Sequence, residues 1–76
     1  MSELEWLDIF GDNLAGYLQD ARMTQKELAI EAGIPESCIS SYIRKQRIPT
    51  VRAVINIAYV LDIDIGDLID FGDRVL

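Results

Sequence analysis

The sequence contains no histidine and a single cysteine, Cys38. One cysteine cannot form an intrachain disulfide, and without histidine or a cysteine pair the usual structural zinc sites are excluded. The missing histidines also remove the commonest general base. No paired acids or activated nucleophile stand in their place, so the sequence gives no reason to expect an enzyme or a bound cofactor. No apolar run approaches the roughly 18 residues that span a bilayer. The acidic opening "MSELEWLD" is unlike the basic start of a secretory signal. A reduced, cytoplasmic setting is therefore expected, with no membrane partner.

Positive charge is also scarce. The 76 residues carry seven Lys and Arg against thirteen Asp and Glu, a formal net charge of -6. The distribution is uneven. Residues 1–21 carry five acids and no base (-5), residues 22–52 six bases and three acids (+3), and residues 53–76 five acids and one base (-4). A basic island lies between two acidic flanks, and the distribution rather than the total decides where a polyanion can dock. The densest part of the island is "YIRKQRIPT", with Arg44, Lys45 and Arg47 and no acid.

Half of the residues are apolar, enough for one packed domain across residues 1–76. Leu7, Phe10, Leu14, Tyr17, Leu18 and Ala21 recur at helical spacing and predict a helix over 7–21, while Ser2-x-x-Glu5 permits an earlier start. Thr24 and Glu27 form a second capping box, and Gly33 supplies a stop, so a short helix is predicted over 25–32. Pro35 suits the first turn of a third helix over 36–44. Its apolar face is Cys38, Ile39, Tyr42 and Ile43, and its polar face is Glu36, Ser37, Ser40, Ser41 and Arg44. Pro49 forbids continuation, and Thr50 caps a fourth helix over 51–61. Asp62 is placed in a left-handed turn, and Asp64 caps a fifth helix over 65–71. The aspartates at 62, 64, 67, 70 and 73 lack the glycine and terminal glutamate of an EF-hand loop, and helix capping accounts for them better. No sustained period-two alternation appears, so the expected fold is an all-α bundle of five helices. Two short helices joined by a glycine turn at about 24–45 make a helix-turn-helix unit.

The ordered set "TQKELAIEAGI", "ISSYIRKQRIP" and "VINIAYVLDIDIGDLI" resembles the lambda-repressor-like, or Xre/Cro-type, helix-turn-helix DNA-binding family across about residues 10–70. The resemblance implies that the third helix enters the major groove and the second crosses the backbone. It places Glu36, Ser37, Ser40 and Ser41 toward the bases. It places Gln25, Arg44, Lys45, Arg47 and Arg52 toward phosphates. The partner it implies is operator DNA, bound by a bacterial or phage transcriptional regulator acting as a homodimer. The fifth helix and "DFGDRVL" are the candidate dimer surface, because Leu68, Ile69, Phe71, Val75 and Leu76 exceed what a small core needs.

Three positions depart from the family pattern. Lys45 stands where glycine is common, so either lysine makes the turn that ends the third helix or that helix ends differently. Leu18 and Ile43 are apolar where some members pair charges, which predicts an apolar contact between the first and third helices. The serine-rich reading face discriminates weakly among bases. That face and the net negative charge leave a second reading open, a protein-interaction module of the same fold, antirepressor-like or antitoxin-like, with weak DNA binding.

Overall fold

Most of the helices begin where a short polar side chain takes over a backbone N–H that the first turn leaves unpaired. In the computed structural model, which describes residues 2–70, α1 spans Glu3–Ala21. Ser2 Oγ accepts from the Glu5 N–H at 3.2 Å, so the helix starts ahead of the apolar repeat. Helix α2 spans Gln25–Ala32. Its capping box is complete, with Thr24 Oγ1 accepting from the Glu27 N–H and Glu27 Oε1 from the Thr24 N–H, both at 3.0 Å. Helix α3 spans Glu36–Ile43 behind Pro35. Helix α4 spans Val51–Leu61, and Thr50 Oγ1 accepts from the Ala53 N–H at 3.1 Å. Helix α5 spans Ile65–Leu68, and the carboxylate of Asp67 in its first turn reaches back to accept from the Asp64 N–H at 3.1 Å. No strand occurs among the described residues, and the all-α, five-helix expectation holds.

Two expected helix ends fall short. Helix α5 is one turn rather than a run to 71, and residue 71 lies outside the described residues. Asn13 Nδ2 on α1 donates to Leu68 O at 2.8 Å and to Asp70 O at 3.2 Å. It takes up a carbonyl that a longer helix would pair internally. Helix α3 stops at Ile43 rather than Arg44, because the Lys45 N–H donates to Tyr42 O at 3.1 Å and the Gln46 N–H to Ser41 O at 2.8 Å. This is the paired closure of a helix on a left-handed residue. That residue is Lys45, at φ 64°. Arg22 and Asp62 also turn left-handed after α1 and α4, at φ 55° and 56°. Side chains other than glycine meet steric cost there, which short polar residues such as Asp bear more easily.

Each helix sends at least one fully buried side chain to a common centre: Phe10 and Leu14 from α1, Leu28 from α2, Ile39 from α3, Ile57 from α4 and Leu68 from α5. Burial of each stabilises the fold by about 1.5–3 kcal/mol relative to exposure. Trp6 stacks on Phe10 at 5.4 Å between centroids, and Phe10 meets Tyr42 edge-on at 6.0 Å, so an aromatic row runs from α1 to α3. Asn56 Nδ2 donates to Ala32 O at 3.3 Å and ties α4 to the end of α2.

By helix propensity alone, Gly11 only weakens α1, by about 1 kcal/mol relative to Ala. In the fold it is where α1 meets the end of α3. A Cβ there would lie 2.8 Å from Tyr42 O, 3.0 Å from Lys45 Cγ and 3.2 Å from Ile43 O. Leu18 is buried in the core and Ile43 is packed against its edge, but the close approach of α1 to the end of α3 is at Gly11, nearer the helix start.

Two substitutions in the same helix therefore have opposite expected signs. Gly16 has nothing within 4 Å of a Cβ, so Gly16→Ala should stabilise by up to about 1 kcal/mol through helix propensity. Gly11→Ala should destabilise by about 1–3 kcal/mol through overpacking. Urea midpoints read both, and a raised midpoint for Gly11→Ala would contradict the close approach. Acid stability carries a third expectation. The Thr24 N–H bond, and then the Thr24 side chain, hold the Glu27 carboxyl below its ordinary 4.5. A depressed carboxyl contributes stability above the unfolded value that is lost as pH falls through the folded one. Glu27→Gln should flatten the decline in urea midpoint below about pH 4.5; an unaltered decline would mean that the box has no pH-linked role.

Candidate nucleic-acid interface

The turn between α2 and α3 is set by Gly33 at φ 68° and by the Ile34 N–H donating to Ala29 O at 3.0 Å. Pro35 then fixes the direction in which α3 leaves. On its inner side α3 buries Ile39 and Tyr42, with Cys38 and Ile43 half-buried. That anchorage leaves the opposite side outward. Glu36 and Ser37 are exposed, and Ser40 and Ser41 half-exposed.

The four polar residues are not equivalent. Ser40 Oγ donates to Gln25 Oε1 at 2.6 Å, joining the middle of α3 to the first residue of α2. With its carbonyl engaged, the Gln25 amide presents its N–H groups as donors. Ser41 Oγ donates to Ser37 O at 2.8 Å, one turn back along α3. Its proton is used within the helix, and the oxygen keeps acceptor capacity.

The cations also divide. Arg44, Arg47 and Arg52 are exposed. Arg44 follows α3 directly, and its Nε donates to Gln46 Oε1 at 3.4 Å. Arg47 Nη1 lies 2.9 Å from Cys38 Sγ, so the guanidinium folds back beside α3. Arg52 sits in the first turn of α4 and lines, with Arg47, Thr50, Cys38, Pro35 and Asn56, a cleft of about 440 Å³. Arg44 thus continues from the end of α3, and Arg47, Arg52 and the start of α4 flank its edge at Pro35 and Cys38, a setting suited to phosphate.

Lys45 is placed differently. Its Nζ lies 2.6 Å from Asp8 Oδ1 and 2.9 Å from Asp12 Oδ1 on α1. The Asp8 bond first, and then the Asp12 bond, push the Lys45 ammonium pKa above its ordinary value. A raised lysine contributes its stability below the unfolded value and loses it as pH rises through the folded one, so the contact is intact at neutral pH.

Sequence reasoning identified the cations but missed what holds Lys45. Asp8 is 37 residues distant in sequence, and only the i, i+4 spacing of Asp8 and Asp12 around Gly11 hinted at a shared face. It also missed how much apolar surface α4 leaves outside. Val51, Ile55 and Tyr59 are 77%, 45% and 86% exposed, in a stripe along one side. Among the described residues, no group of three or more Cys, Asp or Glu is placed to hold a metal ion, and no helix is long and apolar enough to cross a membrane.

A family model described as the Cro/C1-type HTH DNA-binding domain matches residues 13–73. Among solved structures, the chain is similar to the restriction-modification controller protein C.AhdI from Aeromonas hydrophila. The TM-score is 0.79 at 27% identity, over 82% of this chain and 94% of that one. It is also similar to the SOS-response transcriptional repressor LexA from Eubacterium rectale, with a TM-score of 0.82 at 25% identity, over 93% of this chain and 76% of that one. No curated protein sequence matches. With the helix-turn-helix geometry and a family match over most of its length, the chain belongs to the Cro/C1-type helix-turn-helix DNA-binding family.

Proposed function

We propose that this protein is a sequence-specific transcriptional regulator, a bacterial or phage repressor acting in the cytoplasm, that binds an operator in double-stranded DNA. One observation carries the reading: an outward polar face on α3, anchored from behind by Ile39 and Tyr42, is bordered by Arg44, Arg47 and Arg52 in a chain of net charge -6. In this reading Glu36, Ser37 and Ser41 face the bases. Ser40 supports Gln25, which donates to a phosphate with the three arginines. Lys45 has a different place, taken up below. Glu36 can accept from a cytosine amino group, and the serines discriminate less, so DNA shape contributes to selection.

The names of the two similar structures, a restriction-modification controller and a transcriptional repressor, support the regulatory reading. The competing reading, a protein-interaction module, draws on the net negative charge and on Glu36 at the start of α3.

The same reading includes a homodimer, with its surface on α4. Of the C-terminal candidates, Leu68 is buried and offers no surface, Ile69 packs half-buried against the core, and Phe71, Val75 and Leu76 lie outside the described residues. Val51 and Ile55 line an apolar groove of about 280 Å³ together with Trp6, Ile48, Ile65 and Ile69, and Tyr59 continues the exposed stripe along α4. No charged residue lines that groove. In so acidic a chain, an uncharged face lets two copies meet without opposing their carboxylates. A two-fold contact there gives a self-complementary interface of the kind that pairs reading helices on successive half-sites.

Selection from a random duplex pool should enrich a two-fold motif. Log affinity for that duplex should fall against log salt by about 0.9 per phosphate contact. Arg44→Ala with Arg47→Ala should flatten the slope by about 2. No enrichment, with equal weak binding by wild type and the double variant, would favour the interaction module. Sedimentation should show a dimer for the wild type and a folded monomer for Tyr59→Glu. A dimer unchanged by Tyr59→Glu would remove α4 as the interface.

A further inference from the structure

Asp8, Gly11 and Asp12 share one face of α1, and all three meet the residue that ends the reading helix. Gly11 opens a notch: its missing Cβ lets the α1 backbone come against Tyr42 O, Ile43 O and the Lys45 side chain. Asp8 and Asp12, one turn apart and on either side of that notch, both accept from the Lys45 ammonium. Lys45 is held from the other direction too. Its backbone is left-handed, at φ 64°, and its N–H closes α3 on Tyr42 O. One residue thus joins the helix closure to α1. The residues that receive it lie before residue 13, where the family match begins.

The electrostatics give this residue a second task. The end of α3 carries the negative pole of the helix dipole, and the two carboxylates are brought to that same end by Lys45. Without a cation between them, the carboxylates and the helix end would repel each other and would oppose an approaching phosphate backbone.

Resting on the DNA-binding reading above, we propose that Lys45 is a positioning residue. It pins the C-terminal end of α3 to the notch on α1 and masks Asp8 and Asp12, and it does not itself contact phosphate. Sequence position alone counts Lys45 with Arg44 and Arg47. Geometry separates them: both arginines are exposed, whereas the lysine's ammonium is shared by two carboxylates.

Lys45→Gly tests this, because glycine keeps the left-handed turn and removes only the side chain. The probes are the duplex selected by the wild-type chain and a scrambled duplex of equal length. A phosphate contact weakens both alike and lowers the salt slope by about 1, and Arg44→Ala supplies that reference behaviour. A lost positioning contact instead shifts the reading helix, so Lys45→Gly should lower the ratio of selected to scrambled affinity several-fold. Adding Asp8→Asn and Asp12→Asn to Lys45→Gly should recover the affinity that both duplexes lose to the unmasked carboxylates, while the ratio of selected to scrambled affinity stays low. The same pair of changes should raise affinity less in the wild-type background, where Lys45 already masks the charges. Uniform weakening of both duplexes by Lys45→Gly, with a lowered slope and no recovery in the triple variant, would overturn the inference. A wild-type chain that selects no duplex would instead overturn the DNA-binding reading, so the two failures are distinguishable.

Discussion

A missing Cβ sets the distance between two helices on which the interface depends. At Gly11 the α1 backbone reaches the last carbonyls of α3, with room for a hydrogen atom but not for a methyl group. Because α3 is only two turns long, fixing its end largely fixes its orientation. Its start is fixed by Pro35 and the glycine turn, its middle by Ile39 in the core, and its end by this contact. The outward side of the helix follows from those three restraints.

The restraints also explain how an acidic chain can present a basic surface. The acids of α1 and of the C-terminal part lie on the flanks in sequence, and two of them, Asp8 and Asp12, fold back onto Lys45. The arginines are left outward beside α3. In the proposed binding mode an approaching phosphate backbone meets a local arrangement of three guanidinium groups, a Gln25 amide oriented by Ser40 and the start of α4. The net charge of -6 is a property of the whole chain and does not describe that face.

Much of this fold is legible in the sequence because its signals are local. Thr24 and Glu27, Thr50, and Asp64 and Asp67 lie three residues or fewer from the groups they cap, so the starts of α2, α4 and α5 and the whole of α2 and α4 follow from short patterns. The left-handed turn at Asp62 could be read the same way, whereas the turn at Lys45 is suggested only by the family resemblance. The misses are tertiary. Helix α5 ends early because Asn13, on a distant helix, takes its carbonyl. Gly11 reads as a weakness until the backbone it meets is known. The five cation and amide positions assigned to phosphate from sequence look alike there, and only the fold shows Lys45 turned to α1 and Gln25 joined to Ser40.

In the proposed mode DNA docks on the side of the molecule around α3 and on no other. The most direct measurement is the change in backbone amide chemical shifts when the isotope-labelled protein is titrated with its selected duplex. The largest changes should fall at 24–27, 36–47 and 50–53, with the outer side of α1 and the α5 region nearly still. Changes centred on the exposed stripe of α4 or on the acidic side of α1, with α3 unmoved, would contradict it.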